Sequence, residues 1–492
     1  MLQTIQRSYL LIPLCCVLIL LSLPPFGFSI LYWIGLVIFL YTLITNTSYS
    51  YRSVFIFFLI INFVSLSWII QSFYSGGLGY LILGIVLVCI LSSFIAFLNF
   101  SFIKISFYFF EQSQLKYLLI PLSLSFVEIL KEFILGGFPW NPAAIIYYKN
   151  LWVISLLPFI GVYGLGIIIH LLIGSCIYFL SIQKRFFAIS IIIFATLIFS
   201  LSFFDKTKKI NNTDNYLNIL LIQPNIYESL IHYDVLKNFK KYEDLTFKAL
   251  SQNPNADLII WPEGSLPIDL NNRLGLLSRI GGLIKKDQLI ILGSSAIENN
   301  ELFNRLYVID HKGKIIQHYD KQKLVLFGEF VPFIKPVISR FLNLGMNYIS
   351  GEAQPLLNLP KNVQAVPMIC FESIFNYSHI NKNICKSDLV LQISNDSWFG
   401  NWYGPHQHLA NSLLRSVEFK KNLIRSTPSG ISAIIDNEGN ILKSIPNNKS
   451  DFLYYEYPIN YNLQNCFSKL KYTLVILIFI FGLSVLYVRI KK

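Results

Sequence analysis

The stretch "DLIIWPEGSLP", residues 257–267, decides how the polar half of this chain folds. Leu258, Ile259 and Ile260 make a short apolar, β-branched run that reads as a strand buried on both faces. Pro262 has no N–H to donate, so a central ladder cannot continue through it and the chain must turn. That turn is expected to expose Glu263 at the rim of a sheet. Three further runs have the same character: "NILLIQ" (218–223), "QLIILGSS" (288–295) and "DLVLQIS" (388–394). Helix candidates lie between them, notably 234–252 and 406–421. "RLYVIDHKGKIIQHYD" (305–320) is two strands around a Lys312-Gly313 turn, and "SAIIDNEGNILKSI" (432–445) repeats the form with Glu438-Gly439. Strands alternating with helices, with added hairpins, predict an α/β layered domain.

The rest of the chain is different in kind. Of 492 residues, 54% are hydrophobic and only 14% charged, where soluble domains carry about 25% charged residues. The mean hydropathy of +0.54 points to a membrane protein. Apolar runs predict spans near 9–23, 29–45, 53–72, 79–102, 117–135, 151–180 and 186–204, and an eighth near 472–488. No run between 205 and 470 is long enough to cross. The expected organisation is therefore a polytopic α-helical membrane domain (1–204), a polar domain (205–470), and a last span with a short tail (471–492).

Lysine and arginine placement orients the spans. Arg7, Arg52, Lys104, Lys116, Lys184, Arg185, Arg489, Lys491 and Lys492 fall on one side, which is read as cytoplasmic. Lys149 lies on the other side, and so does the polar domain. Residues 1–28 end in Leu23-Pro24-Pro25-Phe26 without a small-residue cleavage site and are expected to stay as an anchor. The net charge of +13 suits anionic lipid surfaces and partly follows from this topology. Cys15, Cys16, Cys89 and Cys176 sit in apolar runs and read as small hydrophobes. Neither a disulfide framework nor a CxxC zinc pattern is apparent in the cysteine spacing.

Chemistry gathers at strand ends. Cys370, in "VPMICFES", ends an apolar run as Glu263 does. Lys321 and Lys323 follow the second strand of the 305–320 hairpin. Ligand sites in α/β sheets form at such ends. A thiol needs a base or a nearby cation to become the reactive thiolate. A carboxylate can take its proton, and a lysine can stabilise the oxyanion formed when a carbonyl is attacked. Glu263, Lys321 and Cys370 together make a complete acyl-transfer set. Taken singly, each has an ordinary reading: a core thiol, a capping or solvated carboxylate, a solvated lysine.

In order, "WPEGSLP", "KQKLVLFGEFVP", "ICFES" and "SNDSWFG" resemble the motifs of the nitrilase superfamily. Seven spans, such a domain, then one span resembles the layout of its membrane-anchored branch, the apolipoprotein N-acyltransferases. "GGFPWNP" (136–142) and "GPHQHLANSLLRSVEFKKNLIRSTPSGISAIID" (404–436) are similar to stretches of that branch. The resemblance implies an αββα sandwich, with Glu263 as general base, Lys321 as catalytic lysine and Cys370 as nucleophile. It also implies that Glu329 positions the lysine and that Glu372 supports the nucleophile. Phe371, Leu326, Pro428 and His232 stand where Tyr, Pro, Asn and Trp are common in the branch.

The activity so implied is ping-pong transfer of an acyl chain from a phospholipid, through a Cys370 thioester, to the N-terminal amine of a diacylated apolipoprotein. The implied location is the bacterial inner membrane, with the polar domain on the periplasmic side. No cofactor, metal or nucleic-acid partner is expected. Two apolar segments, 333–349 with Phe341 and 397–405 with Trp398, Phe399 and Trp402, are read as a lipid-side entrance. Glu128, Lys131 and Glu132 are read as an ion-paired cluster within the spans, and His170 as a hydrogen-bonded packing residue. The competing readings are a membrane-anchored amidohydrolase of the same superfamily and an inactive transporter or scaffold.

Overall fold

A computed structural model describes residues 2–45, 51–191, 193, 215–227, 234–326, 328–330, 347–352, 356–375 and 383–459. They fall into two compact units. One holds the described residues up to Phe133 and from Pro139 to 193. The other holds Ile134–Phe138 and the described residues from 215 to 459.

The first unit is helical. Its helices run Leu2–Ser22, Ser29–Thr45, Tyr51–Leu66, Leu78–Phe110, Lys116–Leu130 and Leu157–Ser181. Among the described residues, three stretches are long and apolar enough to cross a membrane: Tyr51–Tyr74, Leu78–Phe110 and Leu157–Ser181. Leu78–Phe110 leaves Ile82, Ile90 and Phe97 more than half exposed, an apolar surface that suits lipid rather than water. Among the described residues, fewer helices reach spanning length than the eight predicted for the chain. Ser29–Thr45 is 17 residues long and Lys116–Leu130 only 15. The latter stops where its charged cluster holds the chain reversal. Glu128 accepts the Ala143 N–H at 2.9 Å, and Lys131 donates to the Trp140 carbonyl at 3.3 Å. The seventh expected span is described only as far as residue 193, and the eighth lies outside the described residues. His170 is buried between Ser125 (2.6 Å) and the Tyr32 hydroxyl (3.0 Å), as a packing histidine would be.

The second unit is two stacked sheets. Its strands are β1 (Tyr216–Gln223), β2 (Leu258–Ile260), β3 (Leu266–Asp269), β4 (Leu289–Glu298), β5 (Glu301–Ile309), β6 (Ile315–Asp320) and β7 (Leu357–Asn358), then β8 (Gln364–Ile369), β9 (Leu389–Ile393), β10 (Asn422–Ser426), β11 (Ser432–Ile435), β12 (Ile441–Ile445) and β13 (Asp451–Pro458). The first sheet has the order β13-β1-β2-β4-β5-β6, with β3 also on β4, and the second β12-β11-β10-β9-β8-β7. β1, β2 and β4 are mutually parallel, as are β8, β9 and β10.

An apolar core lies between the sheets. Ile219, Leu221, Ile260 and Ile291 of the first sheet meet Ile369, Leu391, Ile393 and Ile424 of the second. The outer face of the first sheet buries Leu220, Ile222, Ile259 and Trp261 against Phe239 and Tyr242 of helix Val235–Gln252 and Leu277 and Ile280 of helix Leu274–Gly281. Helix Gly404–Phe419 packs against β10 and the turn after β8. The layers are therefore helix, sheet, sheet, helix. Because β1, β2 and β4 are buried on both faces, they read as unbroken apolar runs in the sequence. The sequence pattern does not announce β13. Its "DFLYYEYP" mixes aromatic and acidic residues because it is an edge strand, antiparallel to β1. Cys385 is disulfide-bonded, which the cysteine spacing does not foretell.

Candidate active site

The parallel registers bring several strand ends to one edge. Ile369 of β8 stands opposite Ile393 of β9, and Ile393 opposite Ser426 of β10. Cys370 and Ser394 therefore leave neighbouring strands side by side. In the other sheet the chain turns after Ile260, as Pro262 requires, and Gly293 of β4 donates its N–H to the Pro262 carbonyl at 3.1 Å. A Cβ on Gly293 would lie 2.5 Å from Glu263 Cα, so only glycine lets the turn pack this closely on β4.

Glu263 is at the rim, but it is only 7% exposed rather than open to solvent. Polar groups from three elements enclose it. Its Oε1 accepts from Lys321 Nζ (3.1 Å) and Asn304 Nδ2 (2.8 Å), and its Oε2 from the Asn395 N–H (2.8 Å). Lys321 Nζ and Asn304 Nδ2 also both reach Glu329 Oε1, each at 2.8 Å. Glu329 Oε2 accepts the Val325 N–H, which closes the loop that carries it. One ammonium and one amide thus bridge the same two carboxylates. Burial pulls the Lys321 ammonium down, but Glu263 and Glu329 outweigh it and hold the group well above its ordinary value.

Cys370 opens a short helical turn, Cys370–Ile374, with a left-handed φ of 52°. Burial pushes its thiol well up, and the Glu263 charge adds to this; Lys321 and a hydrogen bond with Ser394 work against them. The balance leaves a neutral thiol at rest, inside the field of both Glu263 and Lys321. A thiol so placed must lose its proton as it attacks, to a nearby acceptor.

Glu372 does not join the lysine. Its Oε1 accepts from the Tyr319 hydroxyl (2.9 Å) and the N–H groups of Gln322 (2.7 Å) and Lys323 (3.2 Å). Its Oε2 accepts the Ile369 N–H at 2.6 Å. This carboxylate ties the segment after β6 to the end of β8, and so ties the Lys321 strand to the Cys370 turn. Burial raises its pKa while the Ile369 and Gln322 N–H groups oppose the rise.

Of the expected entrance residues, Trp398 and Phe399 are half-buried and Trp402 is 62% exposed. Phe341, most of 333–349, and His232 lie outside the described residues. Sequence reasoning misses Asn304, Asn395, Asp396, His408 and Arg425. Asn304 is within its reach: the hairpin pairs Arg305 with Asp320, so Asn304 faces Lys321.

A two-sheet sandwich with a cysteine, a glutamate and a lysine at its strand ends defines a carbon–nitrogen hydrolase type of domain. The Carbon-nitrogen hydrolase family model matches residues 220–461. The Apolipoprotein N-acyltransferase N-terminal domain model matches residues 16–177. The apolipoprotein N-acyltransferase of Wigglesworthia glossinidia brevipalpis is 31% identical over 76% of this chain and 76% of its own length. That of Rhizobium rhizogenes is 35% identical over 40% of this chain and 39% of its own. Among solved structures, the CN-hydrolase superfamily protein XC1258 of Xanthomonas campestris aligns with 49% of this chain and 91% of its own, at 18% identity and a TM-score of 0.38. The chain belongs to the apolipoprotein N-acyltransferase family.

Proposed function

We propose that this protein transfers an acyl chain from a phospholipid to the N-terminal amine of a diacylglyceryl-cysteine apolipoprotein, completing lipoprotein maturation. The observation that carries the reading is the Lys321 ammonium held between Glu263 and Glu329, beside a neutral Cys370 thiol. Glu263 accepts the thiol proton as sulfur attacks the ester carbonyl. Lys321 and nearby N–H groups stabilise the oxyanion, a contribution often worth about 3–4 kcal/mol per donor. The intermediate collapses to a Cys370 thioester, and the departing lysophospholipid oxygen takes the proton from Glu263. The acceptor amine then attacks the thioester. Glu263 passes the amine proton to the leaving sulfur, and an amide and a free thiol result.

In this reading residues 1–204 and 471–492 form the membrane anchor and 205–470 is the catalytic domain. It lies on the periplasmic side of the inner membrane of a bacterium. The disulfide at Cys385 supports an oxidising compartment for that domain. Trp398, Phe399 and Trp402, with Phe341, form the lipid-side entrance, where aromatic side chains favour the interface.

Incubating the purified protein with acyl-labelled phospholipid tests the thioester. Hydroxylamine-sensitive label on the wild type that is lost in Cys370→Ala is the expected result. An unlabelled wild type would remove the thioester from the mechanism. A diacylated lipopeptide added next separates transfer to the amine from hydrolysis.

A further inference from the structure

Behind the nucleophile lies a second buried polar cluster with no part in the chemistry above. Asp396, His408 and Arg425 come from the segment after β9, from helix Gly404–Phe419 and from β10. All three are almost wholly buried. Arg425 Nη2 donates to Asp396 Oδ2 at 2.6 Å, and Nη1 donates to Ser412 Oγ at 3.0 Å. Asp396 Oδ1 lies 2.9 Å from His408 Nδ1 and accepts from Ser394 Oγ at 2.8 Å. The room for Asp396 depends on Gly430, where a Cβ would come 2.5 Å from the Asp396 Cβ.

This cluster reaches Cys370 from two directions. Ser394, which donates to Asp396, leaves β9 beside Cys370 at the end of β8. His408 Nε2 lies 3.1 Å from the Cys370 carbonyl oxygen, which also accepts from Gln392 Nε2 and Ser373 Oγ, each at 3.2 Å. Ser373 Oγ is itself 3.1 Å from His408 Nε2. Gln392 joins the same network, because its Oε1 accepts from Ser412 Oγ at 2.7 Å. A non-glycine residue persists with a positive φ only where its surroundings over-determine it.

We infer that His408, aligned by Asp396 and Arg425, is a positioning residue that holds the Cys370 carbonyl and so keeps the nucleophile in its left-handed turn. A carbonyl oxygen can only accept, so the imidazole must donate to it through Nε2. Nδ1 has two partners that leave this donor in place. A charged ring donates from Nδ1 to Asp396, whereas a neutral ring accepts there from Arg425 Nη2, 3.1 Å away. With the proton on Nε2 the carbonyl is held whether the ring is charged or neutral. His408 touches no reacting atom. It fixes the backbone from which the sulfur meets Glu263 and Lys321.

The inference rests on Cys370 as nucleophile, and its test does not require acyl transfer. Glutamine carries an amide nitrogen about as far out as Nε2; asparagine reaches only as far as Nδ1. The full-length variants His408→Gln, His408→Asn and His408→Leu are compared with wild type for the rate of Cys370 alkylation by iodoacetamide, read by peptide mass spectrometry, and for melting temperature. Alkylation in Asn and Leu is expected to fall about ten-fold, the effect of one lost hydrogen bond, while Gln stays near wild type. Asn or Leu variants that melt like wild type and alkylate at its rate would overturn the inference. If Leu does not fold, the Gln and Asn pair decides: Gln faster supports the inference, and equal rates overturn it. In the acyl-loading assay His408→Asn and His408→Leu are expected to lower kcat and leave KM unchanged, while His408→Gln stays near wild type. A wild type that takes no acyl label would refute the proposed reaction, while the alkylation ratios would still read the positioning.

Discussion

Asn304 faces Lys321 across the β5–β6 hairpin, and the two side chains donate to the same oxygen of Glu263, at 2.8 and 3.1 Å. The Asn304 carbonyl also takes the Lys321 N–H at 2.9 Å. A hairpin register thus sets the distance between an ammonium and a carboxylate far apart in sequence.

Replacing Glu263 by Gln is expected to lower acyl loading by about 10²–10⁴-fold, the usual cost of losing a general base. The same change removes a negative charge that raises the Cys370 thiol. Alkylation by iodoacetamide at neutral pH is therefore expected to speed up while loading slows. A parallel fall in both rates together with a lowered melting temperature would mean that Glu263 acts on the fold rather than on the proton.

Replacing Lys321 by Met leaves the buried carboxylate of Glu263 and the half-buried one of Glu329 without their cation. Breaking a buried pair in this way costs about 3–5 kcal/mol. The double variant Lys321→Met, Glu329→Gln removes one of the stranded charges and is expected to recover part of that loss in urea titrations. With Glu329→Gln alone completing the cycle, a coupling energy of zero would show that the two residues do not interact.

Asp396 gives a pH dependence with a definite sign. Burial raises its carboxyl, but Arg425 and His408 more than reverse this and hold it below its ordinary 3.8. Between the depressed folded value and the ordinary unfolded one, the unfolded chain binds the extra proton. The contribution of Asp396 is therefore present above the unfolded value and is lost as the pH falls toward the folded one. Asp396→Asn is expected to flatten stability against pH between about pH 5 and pH 2. An unchanged slope in denaturant midpoints would contradict this.

Trp402 is 62% exposed, so Trp402→Glu is expected to leave the melting temperature in detergent unchanged. In vesicles, where the acyl donor must come from the bilayer, loading is expected to fall. Equal loading in vesicles and detergent would count against an entrance at this loop.

Much of the fold is legible because it rests on local rules. Pro262 ends β2 where a missing donor says it must, and Gly313 and Gly439 turn the two predicted hairpins at positive φ. β13 is hidden because an edge strand need not be apolar. Glu263, Lys321 and Cys370 stand out because each follows an apolar run. The depth of Glu263 does not show in sequence, because its burial comes from Asn304, Asn395 and Lys321 closing over it. Asp396, His408 and Arg425 are hidden for a similar reason. A buried ion pair is marked only by the convergence of its partners, and no spacing in the chain records that. The short helix Lys116–Leu130 escapes because hydropathy averages over the charges that end it.

Lys321 has two anionic neighbours and not one. When a proton neutralises Glu263, the ammonium still has Glu329 to hold it, and Asn304 can stay bonded to both. The cation is thus tethered independently of the group whose charge comes and goes. Each half of the proposed two-stage reaction can begin from the same arrangement, without a resetting motion between them.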